Sequence, residues 1–231
     1  MLATGDELVP PGEPLREGQI RNSNETLLVA QLSQWGCDVT GLGIARDHLP
    51  TLRQAIAAGL ERDILVLTGG VSMGMRDLVP AVLQELGVEQ VFHRVQLKPG
   101  KPIWFGVRRL GEEIKTLVFG LPGNPVSSMV CSELFIRPAV GRLSGSRGGP
   151  GHESTAAMSC DYRHSDDRPT CFPASIERSG SQVRVTPVPW KGSADLRSTI
   201  AANGWIAFPA GIREYKAGDP VTVVAWDEWA D

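Results

Sequence analysis

Cysteine is scarce in this 231-residue chain, and its four copies, Cys37, Cys131, Cys160 and Cys171, stand far apart with no C-x-x-C pair. That pattern speaks against a zinc site or a disulfide framework and predicts reduced thiols in a cytoplasmic protein. No apolar run approaches the roughly 20 residues that a membrane-spanning helix needs. Residues 1–12 also lack the basic and apolar regions of a signal peptide. Charge of one sign is not in excess either. A formal net charge of −3 gives no general pull toward nucleic acid or an anionic membrane, so neither is an expected partner, and any anion site must be built locally. None of the four histidines has metal-ligand spacing to another, and they read as structural or surface groups. Gly41-Leu42-Gly43 is not a dinucleotide fingerprint, because Arg46 stands where the third glycine belongs. No internal repeat is visible, and no side chain is placed like a covalent nucleophile.

Glycine and proline, by contrast, gather in four loops: Thr4-Gly5-Asp6-Glu7-Leu8, Gly69-Gly70-Val71-Ser72-Met73-Gly74, Lys98-Pro99-Gly100-Lys101-Pro102 and Gly120-Leu121-Pro122-Gly123-Asn124-Pro125. All but the first follow a β-branched or apolar run, and three of the four precede a helix-like stretch. Backbone N–H groups collected in this way at one edge of a sheet suit a phosphate or another oxyanion.

The rest of residues 1–145 alternates short apolar runs with periodic segments. Asn24 reads as the cap of a helix through about Trp35, with Gly36 as its left-handed stop. Val39–Ala45 reads as a strand, a helix runs from Pro50 to Gly59, and Asp63–Thr68 is a buried strand. Leu78–Leu86 is helical, Val91–Leu97, Ile103–Val107 and Thr116–Leu121 are extended, and one long helix runs from Pro125 to about Val140. Strands alternating with helices predict a three-layer α/β/α domain with a mostly parallel sheet, in which ligands bind beyond the carboxyl ends of the strands. After a Gly- and Ser-rich linker around residues 144–151, residues 152–231 carry short β-rich segments such as Gln182–Val188 and Pro220–Trp226. They predict a small all-β, barrel-like domain.

Each loop has a plain structural account beside a chemical one. Asp77 can simply cap a helix after the Gly69–Gly74 turn, while Gly69, Gly70 and the Ser72 hydroxyl can approach a ligand closely. Asn124 and Pro125 are preferred at a helix start, and that same start, with Gly123 and Ser127, faces an anion with partial positive charge. Exposed lysines are ordinarily just solvated. Here prolines stiffen the segment holding Lys98 and Lys101, and Arg94, four residues earlier, shares a strand face with Lys98 if the segment is extended. Asp6 and Asp47 suit turns. If Glu7, Asp47 and Asp77 instead converge on a phosphate site, a Mg²⁺ ion held by carboxylates and substrate phosphates would reconcile their charge. In the second domain, Ser193 and Asp195 read best as turn formers.

In this order the four loops resemble those of the molybdopterin molybdenumtransferase family, related to the E domain of gephyrin. The resemblance runs from Thr4 to about Gly145 and, through Trp190–Asp195 and Ala201–Gly204, more loosely to the end. It implies a molybdopterin-binding-like domain over residues 1–145, its first strand truncated, then a β-barrel-like domain over residues 152–231. It also implies additional N-terminal domains, so the chain is expected to be a fragment, and a homodimer. The implied reaction is molybdenum cofactor synthesis: adenylylated molybdopterin receives molybdenum from molybdate and AMP is released, with Mg²⁺. The active centre implied is Glu7, Asp47 and Asp77, which would also hold the metal, with Arg94 and Lys98. Gly69, Gly70, Ser72, Lys101, Gly123, Asn124 and Ser127 would bind substrate. Two alternatives share part of the pattern. Competence-damage-like nucleotide pyrophosphatases share the Thr-Gly-Asp-Glu opening but typically lack the Lys98 and Gly120 loops. A pterin-binding scaffold without turnover is the other.

Overall fold

Leu2, Ala3 and Thr4 are all buried and form β1 (Leu2–Thr4), an inner strand of a six-stranded sheet. The computed structural model describes residues 1–46, 48–70, 78–145 and 153–226. These belong to two units, one of Met1–Val95 with Pro102–Met129 and the other of Gln96–Lys101 with Val130–Asp231.

The first unit continues with β2 (Leu8–Val9), β3 (Ile20–Arg21), α1 (Ser23–Gln34), β4 (Ile44–Ala45), α2 (Leu49–Gly59) and β5 (Ile64–Thr68). It closes with α3 (Val79–Glu85), β6 (Val88–His93), β7 (Trp104–Leu110), β8 (Glu113–Leu121) and the start of α4 (Pro125–Cys131). The sheet order is β4-β1-β5-β8-β7-β6, with the first four strands parallel and the last two added antiparallel. The unbroken run Ile64-Leu65-Val66-Leu67 suits a central parallel strand covered on both faces. On one face Leu65 and Leu67 pack with Leu52 and Ile56 of α2 and Val82 and Leu83 of α3. Each such side chain contributes about 1.5–3 kcal/mol by leaving water.

Several local expectations shift. Asn22, not Asn24, caps α1: its side chain accepts from the Glu25 amide at 3.3 Å and donates to the Glu25 carboxylate at 2.7 Å. Glu25 thus meets the Asn22 side chain through both its amide and its carboxylate, while the Asn22 amide donates to Val9 O at 2.8 Å, and this set of bonds fixes the cap at Asn22 rather than at the asparagine two residues later. Gly36 does take a left-handed φ of +82°. Of Val39–Ala45 only β4 is regular strand, because Gly43 turns left-handed at φ +76°. The long helix expected from Pro125 is interrupted by a π-helical turn, Ser132–Ile136. Pro138 near the start of the next helix has no N–H to give the preceding turn, and a widened turn absorbs the missing bond.

The second unit contains α5 (Arg137–Leu143), β9 (Glu153–Met158), β10 (Tyr162–Asp166), β11 (Thr170–Ser179), β12 (Gln182–Pro187), β13 (Gly204–Phe208), β14 (Gly211–Tyr215) and β15 (Pro220–Ala225). Five strands close into a barrel in the order β11-β12-β9-β15-β13, while β10 and β14 form a separate antiparallel pair. Residues two apart point inward, as the pleat requires: Ala174 and Ile176, Ile206 and Phe208, and Val221, Val223 and Ala225 share one core. Closure leaves the barrel without open edges. The segment holding Lys98 lies along β11 in this unit: the Lys98 amide donates to Pro169 O at 2.9 Å, and the Cys171 amide donates to Lys98 O at 2.8 Å.

Candidate functional site

Because β4, β1, β5 and β8 run in one direction, the loops after them meet at a single edge of the first unit. The Gly5 amide donates to Ala45 O at 3.2 Å, Thr4 Oγ1 donates to Thr68 O at 3.3 Å, and the Gly69 amide donates to Leu121 O at 3.2 Å. Arg46 donates to the Asp6 carbonyl. Gly69 and Gly70 both lie at positive φ, +79° and +62°. A Cβ at Gly69 would sit 2.5 Å from the Thr4 carbonyl oxygen, and one at Gly123 would lie 4.0 Å from the Gly69 Cα. The two glycine loops are therefore neighbours. Gly69→Ala combines a strained φ with a backbone clash and should destabilise the protein by roughly 2–3 kcal/mol, read from denaturant unfolding; Gly36→Ala, which meets no neighbouring atom, should cost less.

Asn24, displaced from its expected capping role, donates from Nδ2 to Gly123 O at 2.8 Å and so ties α1 to the Gly120–Pro125 loop. Sequence reasoning missed this role, and the competing Asn22-x-x-Glu25 pattern was the signal that frees Asn24 for it. Glu7 is exposed, and its carboxylate covers Gly5, where a Cβ would meet Glu7 Oε2 at 2.6 Å. Asn124 is exposed and its carbonyl accepts from the Ser128 amide at 3.0 Å, as an N-cap carbonyl does. Ser127, by contrast, is buried at 4% exposure. Arg94 is exposed at φ +70°, just beyond the end of β6, so the alternation that would put it on one strand face with Lys98 does not carry through. Asp47, Ser72 and Asp77 lie outside the described residues. Among the described residues no group of three or more His, Cys, Asp or Glu side chains is arranged to hold a metal ion. The exposed carboxylate of Glu7 is a hard oxygen donor of the kind Mg²⁺ takes beside substrate phosphates.

The second unit has a pocket of its own, about 300 Å³, lined among others by Lys98, His164, Asp166, Phe172, Trp190 and Lys191. Lys98, half-exposed, forms an ion pair with the Asp166 carboxylate, which is only 9% exposed. The Arg168 amide also donates to Asp166, at 3.2 Å, and the Arg168 guanidinium donates to Leu97 O at 3.0 Å. Burial works to raise the Asp166 pKa, but the Lys98 ammonium and the Arg168 amide outweigh it and hold the carboxyl below its usual range. Lys101, in the same loop, is exposed. The walls are aromatic: Phe172 meets Trp190 edge-on at 5.4 Å, and His164 stacks on Phe208 at 4.6 Å. His164 Nε2 and Trp190 Nε1 are buried and have no hydrogen-bond partner among the described residues. Asp195 builds a turn beneath Lys191, accepting from the amides of Lys191 at 3.1 Å and Ser198 at 3.3 Å. Cys131 and Cys171 are buried thiols, and desolvation pushes Cys171 up to about 12, which keeps it protonated and unreactive.

Burial lowers the His164 pKa, and the Lys98 charge acts in the same direction against Asp166. The unfolded chain therefore takes up a proton near pH 6.5 that the folded chain binds more weakly, and stability falls as pH drops below that value. The melting temperature should be lower at pH 5 than at pH 7. In His164→Phe, which keeps the ring on Phe208, that difference should shrink.

A mostly parallel α/β sheet with glycine loops at its strand ends, followed along the chain by a small closed barrel, defines an α/β domain with a C-terminal β module. The chain belongs to the family described as probable molybdopterin binding domain, whose model matches residues 1–142; the MoeA C-terminal region (domain IV) matches residues 155–226. A molybdopterin molybdenumtransferase of Synechococcus elongatus is 35% identical over 96% of this chain and 54% of its own length. One from Bacillus subtilis is 31% identical over 97% of this chain and 51% of its length. The chain thus spans about half the length of the curated relatives it matches. A solved molybdopterin biosynthesis MoeA protein from Pyrococcus horikoshii superposes with a TM-score of 0.79 at 30% identity, covering 99% of this chain and 54% of that one. A second from the same organism, at 22% identity and TM-score 0.72, supports the fold alone.

Proposed function

We propose that this chain serves molybdenum cofactor biosynthesis as a molybdopterin molybdenumtransferase, moving molybdenum from molybdate to adenylylated molybdopterin with release of AMP. The observation that carries this reading is the meeting of the Gly69 and Gly123 loops at the strand ends of a domain that the family model covers in full. Backbone N–H groups of these loops would cradle the phosphates of the pterin nucleotide. Glu7, with Asp47 and Asp77, would hold Mg²⁺, which when bound offsets pyrophosphate charge. Arg94, Lys98 and Lys101 would balance charge on molybdate and phosphate, with Ser72, Asn124 and Ser127 as further donors. Fixed cations act strongly where water is scarce, so catalysis would rest on positioning and electrostatics and need no covalent nucleophile. A homodimer belongs to the same reading and is checked by light scattering of the purified chain.

The test is AMP release from adenylylated molybdopterin with molybdate and Mg²⁺, compared with Asp77→Asn. Release that needs molybdate and drops at least about tenfold in the variant, roughly 1.4 kcal/mol of barrier, supports the reading. Nucleotide binding without release by the wild-type chain would leave a pterin-binding scaffold instead.

A further inference from the structure

Lys98 is not a bare cation at the mouth of its pocket. Its ammonium already has a counter-charge, Asp166, on β10 of the same unit. That carboxylate is fixed from several sides: the Arg168 amide donates to Oδ1 at 3.2 Å, the Arg168 guanidinium lies 3.9 Å away, and Arg168 is itself anchored to Leu97 O. The pocket also holds Lys191 and two buried, unpartnered polar atoms, His164 Nε2 and Trp190 Nε1. An oxyanion entering here meets a lysine whose charge is spent on a neighbouring carboxylate.

We propose that Asp166 is an internal competitor for the pocket's anion: it holds Lys98 in place and sets how tightly an oxyanion can bind, because the anion has to share or displace the Asp166 carboxylate. This rests on the reading of Lys98 as an oxyanion-binding cation. A pocket of bare cations would retain any small anion, whereas a pre-neutralised lysine favours a ligand with enough charge and enough hydrogen-bonding oxygens to engage Lys191 as well. Asp166 is thus a positioning and selectivity residue. It makes no bond to the reacting atoms.

Two opposing effects separate this role from a merely structural one. Removing the charge of Asp166 should tighten equilibrium binding of an oxyanion, because Lys98 is released, while a folding defect would weaken it. Isothermal titration of the purified chain with sodium molybdate, and separately with sodium sulfate, reads this directly. Asp166→Asn and Asp166→Ser both keep an acceptor for the Arg168 amide, so if one fails to fold the other still tests the idea. Affinity for both anions should rise about fivefold in these variants, and Asp166→Glu, which keeps the charge, should stay near wild type. In a Lys98→Met background, removing the Asp166 charge should change anion affinity by less than about twofold, since no ammonium remains to compete for.

Unchanged or weaker anion binding in both charge-removing variants would overturn the proposal, and so would an equal gain in the Lys98→Met background. The outcome stands apart from the transferase assay. If AMP release fails while Asp166→Asn binds oxyanions more tightly, the transferase reading falls and the competitor survives. If release succeeds and affinity does not move, the competitor falls alone.

Discussion

Arg137→Ala is expected to destabilise the protein by about 3–5 kcal/mol. Glu133 is 2% exposed, and its carboxylate is paired with the Arg137 guanidinium one helical turn away, itself mostly buried. Arg137 also donates to Trp226 O at 3.3 Å, so the guanidinium links the π-helical turn to the end of the barrel sequence. Taking away the guanidinium removes this ion pair from a carboxylate held out of water, and that penalty exceeds the worth of the pair itself. At this chain length each kcal/mol shifts the melting temperature by roughly 2–4 °C, so a fall near 10 °C should appear in a thermal melt. Glu133→Leu in the Arg137→Met background should recover most of the loss, because an apolar pair of similar volume needs no desolvation. A loss under about 1 kcal/mol for Arg137→Ala would mean that the pair is far wetter than its burial implies.

The second large effect concerns activity. Lys98→Ala should lower molybdate-dependent AMP release by about 10²–10³-fold, the loss typical of removing one fixed donor from a developing charge. Lys98→Arg should restore part of it, since it keeps the charge but changes the donor geometry. The Asp166 carboxylate loses its ammonium in the alanine variant, so the melting temperature has to be followed in parallel; the rate loss should persist at temperatures where the variant is fully folded. Turnover within about threefold of wild type would remove Lys98 from the catalytic set.

Much of the architecture was legible in the sequence because its signals are local. The apolar run at β5, the Gly36 stop of α1 and the short β-rich segments after residue 152 each fix an element within a few residues. The elements that shifted did so where two local signals competed. Asn22 and Asn24 both suit a cap, and only the Glu25 partner decides between them. Pro138 lies far enough along a strongly periodic stretch to pass for an ordinary helical interruption, while its missing N–H forces a π turn. The strand-end gathering of Gly5, Gly69 and Gly123 was also readable, since parallel strand direction alone brings such loops together. The pocket in the second unit was not. Lys98 was visible as a cation in a stiff loop, but Asp166 lies 68 residues away and nothing in spacing or composition pairs the two. Trp190 was visible only as part of the Trp190–Asp195 resemblance, and His164 gave no signal at all, because an isolated histidine carries no pattern until the fold leaves its nitrogen buried and unpartnered.

The measurement that bears most directly on the assignment is the fate of molybdenum itself. Wild-type chain, adenylylated molybdopterin, molybdate and Mg²⁺ are incubated together, and AMP and pterin-bound molybdenum are quantified in the same sample. A molybdenumtransferase should yield the two in equal amounts, with neither formed when molybdate is left out. AMP released without molybdenum on the pterin, or at the same rate without molybdate, would contradict the assignment and mark the chain as a nucleotide pyrophosphatase on the same fold.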